Sequence, residues 1–592
     1  MHAVVAGSAC ASTETNEPTE GPRAPAPLAP PSPTTGPAAR GEGVSLPDLA
    51  WEGIGEDGRP RSIALRDYRE PTAASPHLLV IRVQGGAWCG TCLWHATHTR
   101  ELISPRVRIL DLVVGDRDNA PARAADLSEW RDRLDAPASV AIGADPTFSL
   151  RGLGPESGVM LPFFVLVDTR TLRAIDTASN PDPATLGTKV DAAIAAIDGT
   201  PPPAPRREPP VDAVFRRNER DMIRDMRLAL GGAPPADPTN AVADSPAAAA
   251  LGKALFFDAS LSANGAVSCA SCHDPTKQLT DGRPTALGVR AGKRKTPRIA
   301  LAASARWQLW DGRADTLWAQ ALLPIEDPGE IGSTRVALVR RVATAYAAEL
   351  AAAFPALPLP TAAELAELPS SGMPGDAAYD ALPAPTRERV TRVAVAAAKS
   401  IAAYERTFRV VPNRLDAYAA GDLGALTTDE KQGLALFARV GCTQCHWGPR
   451  LTDDAFHVTR LRGAPGVIDR GRRDGLAGLA SAELVSRGRW SDAPSLGRVV
   501  RSDASSLGEG SVGAFKTPPL RGVASIAAAP FGHGGAETSL VTVTEIYGSG
   551  GAPTDDPRAT GVLEPWLMRF DVTAQWAIPT FLEVLTAEPI VP

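Results

Sequence analysis

Apolar residues follow two different rhythms along the chain. His77-Leu-Leu-Val-Ile-Arg-Val83, Val107-Arg-Ile-Leu-Asp-Leu-Val-Val114 and Phe163-Phe-Val-Leu-Val-Asp168 are short, almost continuous apolar runs rich in branched side chains. Runs of that length and composition predict buried strands. The first is followed by Gln-Gly-Gly-Ala-Trp88-Cys89-Gly-Thr-Cys92, which opens a helical pattern. Strands alternating with helices predict one α/β domain over residues 45–199, with parallel pairing. From about residue 236 the rhythm changes. Val336–Phe354 and Arg387–Phe408 carry long Ala/Val/Leu patterns with charges on one face, which predicts packed helices. No run of 18 apolar residues occurs, so no transmembrane helix is predicted.

Composition refines this picture. The chain has 592 residues, 44% hydrophobic and 22% charged, with net charge −6 from 61 basic and 67 acidic side chains. That balance argues against a nucleic-acid partner. Residues 11–44 are rich in Pro, Ala, Thr, Gly and Glu without a period and read as a disordered tether. Pro201-Pro-Pro-Ala-Pro-Arg-Arg-Glu-Pro-Pro210 reads as a semi-rigid linker between modules that need not share a core. The organisation is therefore 1–44 signal remnant and tether, 45–199 α/β domain, 200–235 linker, and two mainly α-helical units at 236–420 and 421–592. Residues 1–10 end in Gly-Ser-Ala-Cys10 and resemble the tail of a bacterial lipoprotein signal. Cys10 is then a membrane tether and the location periplasmic. The plainer reading is a disordered terminus with a stray thiol.

Six of the seven cysteines form three C-x-x-C units. Two are followed at once by histidine, as Cys269-Ala-Ser-Cys272-His273 and Cys442-Thr-Gln-Cys445-His446. C-x-x-C-H is the attachment signature of c-type haem, with two thioethers and the histidine as iron ligand. Two motifs predict two covalently bound haem c. A zinc site would combine the pairs into one set of four ligands, yet roughly 170 residues separate them.

The surroundings of the first motif carry a family resemblance. Leu251-Gly-Lys-Ala-Leu-Phe-Phe-Asp258, Leu261-Ser-Ala-Asn-Gly265, Lys295-Thr-Pro297, Trp310-Asp-Gly-Arg313 and Gln320-Ala-Leu-Leu-Pro324-Ile-Glu-Asp-Pro-Gly-Glu330 resemble the bacterial di-haem cytochrome c peroxidase/MauG family. The resemblance implies that Glu330 is the acid–base group for H2O2, that Gln320 holds the peroxide, and that Trp310 relays electrons between the haems. Taken alone, Glu330 is a loop carboxylate and Trp310 a core aromatic. No histidine lies between His273 and His446. The family's blocking distal histidine is therefore missing, and the first haem is expected to be five-coordinate. The family's Ca2+ site uses an Asn where this chain has Lys295. An ammonium cannot ligate a cation, so Ca2+ is doubtful here.

The second motif, with Phe515-Lys-Thr-Pro518 and Pro530-Phe-Gly-His533-Gly-Gly535, resembles the family's electron-entry haem. The resemblance implies a sixth ligand after the last of these. The candidates are His533 first, then Met568, Tyr547 and Glu537. His533 also has a reading as a non-ligand.

Trp88-Cys89-Gly-Thr-Cys92 between a strand and a helix resembles the thioredoxin-like active site, with Cys89 as nucleophile, Cys92 as resolving thiol and Pro162 as the cis-proline. A structural disulfide is the alternative. His95 and His98, one turn apart on the same helix, read as solvated. Together the motifs predict a fusion of a thioredoxin-like domain with a di-haem oxidoreductase that reduces H2O2. Its electron donor is a periplasmic cytochrome c or copper protein. The alternatives are a MauG-like oxidant acting on a protein substrate, and a di-haem electron carrier without peroxide chemistry.

Overall fold

The computed structural model describes residues 43–72, 78–99, 105–134, 140–155, 158–207, 212, 214–229, 232–499, 512–525, 528–567 and 569–592. Cys10 and Met568 lie outside the described residues, as does the tether at 11–42.

The N-terminal part is a seven-stranded sheet in the order β2-β1-β5-β4-β3-β6-β7. The strands are β1 Ala50–Ile54, β2 Pro60–Ala64, β3 Leu78–Gln84, β4 Val107–Val113, β5 Val140–Ala144, β6 Phe163–Asp168 and β7 Arg173–Ser179. Every residue of β3 is buried, as its continuous apolar run requires. β3, β4 and β5 are parallel, joined through the helices Gly90–His98 and Leu127–Leu134. The sheet is mixed rather than parallel throughout. β6 runs antiparallel to β3, with Phe163 opposite Val83. The cause is the connection from β5, which has only a 3-10 turn at Arg151–Leu153. Among the described residues no helix carries the chain back across the sheet, so β6 starts at the end where β3 finishes. A buried bidentate pair, Arg82 with Asp111, ties β3 to β4 at 2.7 and 2.9 Å.

The C-terminal part is helical. The 22-residue helix Ala384–Glu405 is buried from Val390 onward apart from Arg392 and packs against Pro246–Phe257 and Leu317–Glu326. A second core gathers Leu415, Tyr418, Leu434, Phe437 and Phe581. Phe215, Ile223 and Met226 join it from the stretch expected to be linker. There the chain forms the helix Arg217–Asp225, and Glu219 accepts from Arg439 at 2.7 Å. The dense proline run ends at Pro210, and the residues after it include enough buried apolar side chains to dock. The chain's last strand, Pro589–Ile590, pairs with Arg409–Val410 and closes the second helical unit on the first. No helix among the described residues is long and apolar enough to cross a membrane.

Candidate functional site

Cys269–Cys272 forms one helical turn, and His273 follows at its C-cap. His273 Nδ1 lies 3.1 Å from the carbonyl of Leu279. A carbonyl only accepts, so Nδ1 carries the proton and Nε2 keeps a free lone pair. Burial lowers the His273 pKa, which favours the neutral, ligating form. The second motif repeats this arrangement. His446 Nδ1 lies 3.0 Å from the carbonyl of Leu451, and burial again lowers its pKa. Leu279 and Leu451 both hold left-handed backbone, φ 61° and 55°. Leu451 stands in the Leu451-Thr-Asp453 stretch that resembles the family's second haem site, whereas Leu279 carries no such mark in the sequence. The only available signal for Leu279 was its place six residues after His273.

The first motif opens into a cavity of about 760 Å³. Cys269, Cys272, His273, Trp310, Gln320 and Glu330 all line it. The Trp310 indole is fixed by a 2.8 Å bond from Nε1 to the Lys295 carbonyl. Gln320 comes from the helix Leu317–Glu326, whose first turn is capped by Thr316. Glu330 follows that helix in a tight turn, its N–H donating to Asp327 O. Its carboxyl faces the cavity 4.0 Å from Arg313. Partial desolvation by the cavity walls raises its pKa, an effect Arg313 partly offsets.

Two polar atoms at this cavity are buried without partners: Glu405 Oε2 and Arg298 Nε. Burial pushes Glu405 up to about 8 and Arg298 down to about 10. Glu405 was legible only by phase, one turn after Ile401 on the buried face of Ala384–Glu405. Lys295 stands where a Ca2+ ligand was sought, with Nζ donating to the Arg283 carbonyl at 3.1 Å.

The structure does not bring His533 to the second motif. Its ring stacks on Phe515 at 3.6 Å and meets Trp310 edge-on at 6.5 Å. Burial pushes its pKa down to about 4. Glu537 is buried in an ion pair with Arg462 at 3.2 Å. Tyr547, on the helix Leu540–Gly548, is the described candidate within electrostatic reach of Cys445 and Cys442; burial foremost, then the charge those thiols would carry, raises its pKa. Beside it, His457 sits between Asp453 at 2.9 Å and Glu564 at 2.8 Å. Those carboxylates and the Cys445 sulfur outweigh burial and hold it well above the ordinary histidine range.

Cys89 and Cys92 are bonded to each other at the start of Gly90–His98. The Leu161–Pro162 peptide before β6 is cis. His95, expected to be solvated, is fully buried without a side-chain partner, and burial pushes it down to about 3. His98 stacks on Trp94 at 4.3 Å.

The donor sets suit two c-type haems. Each motif offers two thiols and an imidazole Nε2 facing away from its backbone bond. At the first, a cavity with unpartnered buried polar atoms adjoins them.

The profile of the di-haem cytochrome c peroxidase family matches residues 246–424. The methylamine utilization protein MauG of Methylorubrum extorquens is 32% identical over 353 residues, 58% of this chain and 80% of that protein. Cytochrome-c peroxidase IdrP2 of Pseudomonas sp. strain SCT is 29% identical over 371 residues, 62% of this chain and 86% of its own. Among solved structures, a MauG-like protein associated with microbial copper homeostasis aligns with TM-score 0.43 and 25% identity. That alignment covers 60% of this chain and 94% of the other.

Proposed function

This chain belongs to the di-haem cytochrome c peroxidase family, and on that premise we propose that it reduces H2O2 in the periplasm with electrons from a cytochrome c or copper protein. The protein is an oxidoreductase with a thioredoxin-like N-terminal domain, and its family implies two c-type haems. The observation that carries the peroxide reading is the convergence of His273, Gln320 and Glu330 on one cavity.

Cys269, Cys272 and His273 would hold one haem, and Cys442, Cys445 and His446 the other. When bound, haem c supplies a redox-active iron centre. The remaining roles fall to this chain's own side chains. Gln320 holds the peroxide by hydrogen bonds. Glu330 takes the proton from one peroxide oxygen and returns it to the leaving oxygen. Arg298, with a buried and unpartnered Nε at the cavity, would help hold the first haem. Trp310, pinned to Lys295 and next to His533, carries charge between the halves. Tyr547, rather than His533, would help hold the iron at the second site, supported by its electrostatic coupling to Cys445 and Cys442. Ca2+ is not required in this reading, because the Lys295 ammonium supplies a positive charge there.

A second reading is oxidation of a partner protein. It is favoured by the absence of any histidine between His273 and His446, which leaves the first site open in the oxidised enzyme. Stopped-flow spectroscopy of the oxidised protein with H2O2, with and without reduced cytochrome c, separates the two. A spectral change without prior reduction, with two cytochromes oxidised per peroxide, is expected. A change without cytochrome oxidation selects the protein oxidant, and no change overturns both.

A further inference from the structure

Cys89 and Cys92 are fully buried, both with no exposed surface. The segment that covers them carries the second C-x-x-C-H. The Trp447 indole lies on Gly90 so closely that a Cβ there would fall 2.3 Å from the ring. Its Nε1 donates to the Trp88 carbonyl at 2.8 Å. Thr91 and Thr443 hydroxyls meet at 3.3 Å. Gly441 rests against Met160, where a Cβ would stand 3.1 Å from the sulfur, next to the cis Leu161–Pro162 peptide. Trp88 meets His457 edge-on at 4.9 Å, and Cys445 packs against the same core as Cys89 and Cys92. Residues 441–447 therefore fill the groove between the dithiol turn and the Met160–Pro162 loop. While they do, a diffusing protein cannot reach Cys89.

The contact fixes what the pair faces. We propose that the Cys89/Cys92 dithiol is a two-electron donor built into the chain, serving its own peroxide reaction through the adjoining second haem motif. This rests on the peroxide reading above. Cys89 and Cys92 each lose a proton and an electron, and the S–S bond forms. The O–O bond of H2O2 breaks, and two electrons and two protons turn it into two waters. No further reactant is consumed. The sulfurs are prepared for this role, because Gly85 N–H donates to Cys92 Sγ and Cys92 N–H to Cys89 Sγ, each at 3.2 Å. Donors of this kind at a helix N-terminus favour the thiolate. C-x-x-C couples range from reducing to oxidising, but H2O2 is a stronger oxidant than any protein disulfide, so electrons run from sulfur to peroxide. A thiol reductant restores the pair when residues 441–447 lift from the groove.

The test uses the haem-loaded full chain, reduced at both haems and at the dithiol and freed of excess reductant. H2O2 is added in steps. Haem reoxidation is followed by absorbance, and Cys89 and Cys92 by acid quench, alkylation in denaturant and peptide mass. Two peroxides per chain are expected, with Cys89 and Cys92 lost to alkylation as a pair. Cys89→Ser with Cys92→Ser is expected to consume one. Glu330→Gln is expected to slow disulfide formation and haem reoxidation together. Haems reoxidised by one peroxide with both cysteines still alkylated in the wild-type chain would overturn the proposal and leave the peroxide reading standing. Disulfide formation at the wild-type rate in Glu330→Gln would also overturn it, because peroxide would then be attacking the thiols directly. Haems that do not reoxidise at all would overturn the peroxide reading and this one with it. The wild-type alkylation result stands even if the double variant does not fold.

Discussion

In the proposed reaction Glu330 works with a carboxyl that its surroundings make harder to ionise. Burial in the cavity wall raises its pKa, and Arg313 at 4.0 Å only partly restores it. Its base form is therefore lost at a higher pH than that of an ordinary glutamate. The rate of peroxide cleavage should fall as pH drops through that raised pKa. Glu330→Gln should slow cleavage about 10²–10⁴-fold and flatten the pH profile, with both haems retained. Single-turnover rates against pH check both effects. Tyr547→Phe removes the phenol oxygen but keeps the ring. It should change the absorption and low-spin EPR signal of the second haem while leaving the first unchanged. At this scale the attachment cysteines and histidines were legible, because C-x-x-C-H is a contiguous chemical signature. The sixth ligand was less so. Sequence order puts His533 first, beside the Pro530–Gly535 landmark, whereas the fold stacks it on Phe515 and leaves Tyr547, on the helix Leu540–Gly548, within electrostatic reach of Cys445 and Cys442.

Among the elements, the buried strands and the helix Ala384–Glu405 follow from their apolar runs. The direction of β6 does not, because a connection without a helix leaves no periodic trace. The docking of the N-terminal domain is equally silent in the sequence. It depends on single residues of the loop after β4. Asp118 pairs with Arg306 at 2.9 Å and accepts from Trp307 Nε1 at 2.7 Å. Asn119 donates to Phe456 O at 3.0 Å and to Glu564 at 2.8 Å. Burial alone would raise the Asp118 pKa, but the Arg306 guanidinium more than offsets it and holds it below the ordinary aspartate range. The contact is therefore fully present above the usual carboxylate pKa and is lost as pH falls through the lowered value. Asp118→Asn should weaken docking by about 1–3 kcal/mol. Limited proteolysis should then cleave faster within residues 200–212, and thermal unfolding should split into two transitions. A single transition and unchanged cleavage would assign the docking energy elsewhere.

Across the whole molecule, a proline-rich stretch suggested two modules on a tether, yet they meet over a continuous surface. Trp94 packs with Met222 and Ala438, and the N-terminal core takes in Ala455. The dithiol and the second haem motif thus touch across the boundary between the modules, and Trp310 and the first motif line one cavity. Two haems per chain should survive denaturation, and pyridine haemochrome analysis against protein mass should return two. The account depends most on the first of these haems having an open side in the resting enzyme, since Glu330 and Gln320 have no role without it. EPR of the purified, fully oxidised protein tests that directly. One high-spin ferric signal from the His273 site and one low-spin signal from the His446 site are predicted. Two low-spin signals, with no high-spin component, would contradict the account.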